Sequence, residues 1–154
     1  EIVNLHTLNN PTGLSGDKKL GRAYGRVKDL VDDLMSRTGP AAVEDEINAE
    51  IDKVNGVPDS RKELKKGFQT AYSRITQIAL KRLNLVPKGY YRTMWMSIGL
   101  GAFGVPIGVS IGVALDNMGF IGVGLPLGMV IGMAVGSAMD KRAAEEGRQL
   151  SIEE

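Results

Sequence analysis

Apolar residues recur at three- and four-residue steps through the first half of the chain. Leu20, Ala23/Tyr24, Val27, Leu30/Val31 and Leu34 put one apolar stripe on a helix over residues 17–37. Ser15 or Gly16 is placed to cap its start, and Gly39-Pro40 to end it. Val43, Ile47, Ile51 and Val54 predict a shorter second helix, closed by Gly56 and Pro58. Asp59 or Ser60 opens a third, with Leu64, Phe68, Ala71/Tyr72, Ile75, Ile78/Ala79 and Leu83 on one side, until Pro87-Lys88-Gly89 interrupts it. Three amphipathic helices with short connections predict a small helical bundle, or a hairpin with a docked third helix. Ahead of them, Asn9, Asn10, Pro11 and Gly13 make residues 1–15 read as an arm without a signal-peptide pattern. Because the chain begins at Glu1 rather than Met, a removed targeting segment stays open.

Beyond Arg92 the pattern changes. Between Arg92 and Asp116 lie 23 uncharged residues, and between Asp116 and Asp140 another 23. As a helix each run is about 34 Å long, against about 30 Å for the hydrocarbon core of a bilayer. Each holds twelve residues from Val, Ile, Leu, Met, Phe and Trp, which favours insertion by several kcal/mol before glycine and proline are counted. The ends agree with two spans, about 93–115 and 118–139. Tyr90, Tyr91 and Trp95 sit where an interfacial aromatic belt belongs, beside Arg92, and Lys141 and Arg142 follow the second span. Asp116, Asn117 and Gly119 form the turn between the spans. With basic flanks on one side of the hairpin, the positive-inside bias puts both termini in the cytoplasm.

Glycine spacing supplies the packing signal. Gly104, Gly108 and Gly112 are four apart, as are Gly124, Gly128, Gly132 and Gly136. Such a step returns to nearly the same helix face, so each helix carries a groove along which backbones approach closely. The two segments also repeat at an offset of 20 residues, with Pro106 and Pro126 in matching places as expected kinks. Large and small residues alternate strictly over 105–113 and 121–129, which also suits strands in a pore or fibril. Prolines in mid-run, an apolar small face and lengths far above ten residues favour helices.

Composition narrows the chemistry. With no cysteine and one histidine, His6, thiolate sites, histidine triads and multi-histidine metal sites are excluded. Gly99-Leu-Gly-Ala-Phe-Gly104 satisfies G-x-G-x-x-G, yet no strand precedes it and its surroundings are lipid-like. Acidic pairs such as Asp32/Asp33 and Glu145/Glu146 are neighbours on solvated faces. No catalytic, cofactor or metal site is expected. Charge is segregated: the second helix carries Glu44, Asp45, Glu46, Glu50 and Asp52, whereas no acidic residue occurs from Leu64 to Leu115. Complementary packing of helix two on helix three is one explanation. Attraction of the basic stretch to anionic headgroups is the other. No nucleic-acid module accompanies the basic residues.

The run Gly122-Val-Gly-Leu-Pro-Leu-Gly-Met-Val-Ile-Gly-Met-Ala-Val-Gly-Ser-Ala-Met-Asp140, followed by Lys141-Arg-Ala-Ala-Glu-Glu-Gly-Arg-Gln-Leu150, resembles bacterial glycine-zipper family proteins. The resemblance covers about residues 98–150 and implies a bacterial membrane protein. It brings no catalytic residue. The expected class is all-α: an N-terminal arm (1–15), a helical cytoplasmic domain (16–86), a transmembrane glycine-zipper hairpin (93–139) and a charged tail (140–154). The expected role is that of a non-enzymatic inner-membrane protein. Its partners would be the lipid bilayer and either further copies of itself or a larger membrane complex, met through the glycine faces, with no nucleic acid. A membrane-permeabilising effector and a soluble or filamentous assembly of the hairpins are the alternatives.

Overall fold

The computed structural model describes residues 4–11, 16–37, 41–58 and 60–153. Gly13, Ser15, Gly39, Pro40 and Asp59, named above as loop or boundary residues, lie outside these. The fold is all-α apart from one small sheet, with a helical N-terminal region and a C-terminal hairpin of two long apolar helices. It divides into two compact units: Glu1–Val86 with Leu150–Ile152, and Pro87–Gln149 with Glu153–Glu154.

The first unit holds α1 (Lys18–Met35), α2 (Ala41–Asn55) and α3 (Arg61–Arg82), with α3 packing against both others. Asp17 caps α1, its Oδ1 accepting from Lys19 N at 2.8 Å and Leu20 N at 3.2 Å. The Leu20 and Lys19 amides hold this carboxyl below its usual pKa. The predicted stripes form the core: Leu20, Val27, Leu30 and Leu34 from α1, Ile47 and Ile51 from α2, Phe68, Ile75 and Ala79 from α3. Burying each large side chain contributes about 1.5–3 kcal/mol. The charge segregation is used between α2 and α3, where Arg82 meets Glu46 at 2.9 Å and Arg74 meets Glu50 at 3.6 Å.

Two segments depart from expectation. The charged tail is not a tail: Gln149–Glu153 forms a strand, β2, paired in parallel with β1 (Val86–Lys88). Leu150 and Ile152 are buried while Ser151 between them is exposed. Ser151 donates from both its amide and its hydroxyl to the Asp33 carboxylate, each at 3.1 Å. Residues 4–9 of the arm, too, are fixed. Leu5 enters the core, and two asparagines of α2 hold the backbone beside it. Asn48 accepts from His6 N and donates to Asn4 O, and Asn55 accepts from Asn9 N and donates to Thr7 O. Seven helical residues advance about 10.5 Å and three extended residues about 10 Å. Side chains two turns apart therefore meet arm positions three apart.

The second unit contains α4 (Tyr90–Gly99), a π turn (Leu100–Gly104), α5 (Val105–Ala114), a 3-10 turn (Met118–Phe120) and α6 (Ile121–Glu145). Together these give two apolar helices, Tyr90–Ala114 and Met118–Glu145, each long enough to cross a membrane. Pro106 lacks the amide that would bond the carbonyl of residue 102, and the widened turn lies at that place. Pro126, its counterpart in the repeat, sits inside an unbroken α-helix. At the tip Asp116 adopts φ +50°. Asn117 N then reaches Gly112 O at 2.9 Å and Asp116 N reaches Val113 O at 3.3 Å, closing the helix end. The Asn117 side chain accepts from Gly119 N at 2.9 Å and starts the next turn.

Candidate functional site: the hairpin seam

The two glycine series meet each other within one chain. Gly104, Gly108, Gly112, Gly124, Gly128, Gly132 and Gly136 are all buried. Apart from Gly99 and Ala143, they are the only buried residues among the described ones between Tyr90 and Glu145. A Cβ at Gly108 would lie 2.6 Å from Ile121 O, and one at Gly104 3.0 Å from Leu125 Cα. At Gly124 it would strike the Gly104 and Gly108 backbone, at Gly128 that of Gly99 and Gly104. Gly132 faces Trp95 O, and Gly136 faces Tyr91 O and Arg92. Gly112 closes the series more loosely against Asn117 and Met118. In lipid, where apolar side chains gain nothing by leaving the solvent, contact between backbones supplies the packing energy.

Gly99 was legible only as part of an unused G-x-G-x-x-G pattern, because it lies five residues before Gly104 rather than four. The π turn absorbs the extra residue. Gly99, Gly104 and Gly108 of the first helix thereby oppose Gly124, Gly128 and Gly132 of the second.

Outside the seam the polarity is inverted relative to a soluble core. Val113 and Val130 are 63% and 64% exposed, and Leu115, Met118, Val123, Leu127 and Phe103 also face outward. The hydroxyl of Ser110, on the outside, is satisfied within its own helix by Pro106 O at 2.8 Å, and Ser97 likewise by Thr93 O at 3.2 Å. Comparison with family models, curated proteins and solved structures gives no match.

The open end of the hairpin is closed by a carboxylate. Gly89, with φ +78°, precedes α4 and offers no side chain to cap it. Asp140 does so from the other helix, accepting from Tyr91 N and Arg92 N at 3.0 Å each. Tyr90 and Tyr91 meet edge to face at 5.3 Å. Trp95 is half-buried, and its Nε1 is enclosed with no hydrogen-bond partner among the described residues. Lys141 and Arg142 are exposed, Lys141 lying 3.9 Å from Glu145. α6 continues through them to Glu145, six residues past Met139, where the second span was expected to end. No cluster of three or more histidine, aspartate or glutamate residues suited to a metal occurs among the described residues.

Proposed function

We propose that this chain is a non-enzymatic, two-span protein of the bacterial inner membrane. Its hairpin packs through glycine, its helical unit lies in the cytoplasm, and its outer hairpin faces meet lipid and further copies or a larger membrane complex. The observation that carries the reading is the inverted hairpin: glycines inside, large aliphatic side chains outside. Such a surface is stable in lipid and a liability in water. Because both glycine series are occupied within the chain, docking would use the outward Val, Leu and Met faces rather than the glycine faces.

Chain connectivity supports the topology. Val86 and Leu150–Ile152 belong to one compact unit. One unit cannot lie on both sides of a bilayer, so the chain between them crosses an even number of times. Lys81, Arg82, Lys88 and Arg92 before the hairpin, and Lys141, Arg142 and Arg148 after it, favour the cytoplasm for that unit.

The chain has no cysteine, so single reporters are clean. Ser73→Cys and Leu115→Cys, both at exposed positions, are labelled with an impermeant maleimide on either side of bacterial membrane vesicles. Ser73→Cys should react only from the cytoplasmic face and Leu115→Cys only from the opposite one. Labelling of both from one face, or release of the protein by alkaline carbonate, would reject the reading.

A further inference from the structure

The acidic face of α2 neutralises only one side of α3. On the α1 side, cations face cations. Lys19, Arg22 and Arg26 of α1 and Lys65 of α3 line one cavity of about 470 Å³, with Gln69 and Tyr72. No carboxylate lines it, and none of these four cations forms an ion pair with a described residue. The nearby acid, Asp17, does not line the cavity; it caps the Lys19 and Leu20 amides and attracts Lys65 only through space. Positions 19, 22 and 26 share one helix face, where like charges destabilise the helix. Arg26 is held in place over the Tyr72 ring, 4.2 Å from its centroid. Elsewhere on α3 cations do find acids: Arg74 and Arg82 meet Glu50 and Glu46. What sets this cavity apart is that four cations from two helices converge on it with no carboxylate in its lining.

We propose that this groove binds a phosphate-bearing ligand of at least two negative charges, supplied by a lipid headgroup or by a soluble phosphorylated molecule. Guanidinium and ammonium donors converging on one cavity match phosphate oxygens in charge and geometry. The proposal concerns the helical unit alone and does not depend on the membrane reading.

The test uses the full chain in phosphatidylcholine nanodiscs, titrated with pyrophosphate by calorimetry. Saturable binding is expected, weakened roughly tenfold or more in Arg22→Gln/Lys65→Gln by loss of charge-assisted contacts. Arg74→Gln, outside the groove, should bind as wild type. Without ligand the double variant should melt at or above the wild-type temperature, since repulsion is relieved. Adding phosphatidic acid to the nanodiscs separates the sources: competition with pyrophosphate identifies a headgroup ligand, and unchanged binding a soluble one. Absence of saturable binding, binding unaltered in the double variant, or a double variant that melts lower would each overturn the proposal.

Discussion

At the scale of single residues, the seam distinguishes glycines that a methyl group cannot replace from glycines that it can. A Cβ at Gly128 would overlap backbone atoms of Gly99 and Gly104, which cannot rotate away as a side chain can. At Gly101 and Gly122 nothing lies within 4 Å. Gly128→Ala should therefore destabilise the hairpin by about 1–3 kcal/mol, the usual cost of overpacking. Gly101→Ala and Gly122→Ala should be neutral or gain up to about 1 kcal/mol from reduced backbone freedom in the unfolded helix. Denaturant titration of the three variants in detergent micelles, followed by Trp95 fluorescence, gives the comparison. Equal behaviour of all three would show that close approach does not hold the hairpin. Glycine composition alone could not make this division. Gly101 and Gly122 lie off the four-residue series, and Gly99 joins it only through the π turn.

At the scale of elements, each end of the hairpin needs partners for its free backbone groups. The tip solves this locally, through Asp116 and Asn117. The open end solves it across the chain, through Asp140 on the α4 amides. Asp140→Ala should cost about 0.5–2 kcal/mol, as for loss of an N-cap. Asp140→Asn keeps an acceptor and should cost less. Amide exchange at Tyr91 and Arg92 reads the effect directly, and unchanged protection in Asp140→Ala would remove the cap from the account. The helical stripes were legible because a 3.6-residue period repeated over several turns averages out local irregularity. Three elements were not. The strand Gln149–Glu153 offers only two apolar residues, Leu150 and Ile152, in a charged context. Residues 4–11 of the arm offer only Leu5 and Leu8, and their fixing bonds come from asparagines that look like ordinary surface on α2. The capping role of Asp140 depends on a helix 48 residues earlier, whereas its position in the sequence read only as the end of an apolar run. In each case the deciding contact is tertiary.

At the scale of the whole molecule, the hairpin is an insertion into the helical unit rather than an appendage to it. The chain leaves that unit after Val86 and contributes Leu150–Ile152 to it on return. Leu150 is fully buried, and Ile152 nearly so. The unit's stability thus depends on residues made only after both apolar helices are complete. Leu150→Ala should destabilise the helical unit by about 2–5 kcal/mol, the range for a buried leucine truncated to alanine. That is a large part of the stability of a small domain. The hairpin glycines lie in the other unit, so the seam should keep its wild-type resistance to denaturant. Limited proteolysis of the full chain in nanodiscs can read both at once, through cleavage at exposed basic sites such as Arg61 and Lys62 and survival of the fragment carrying the spans. Faster cleavage in the helical unit with an intact span fragment is the expected result. If Leu150→Ala cleaves at the wild-type rate, β2 is not part of that core, and the even-crossing argument for the topology loses its structural basis.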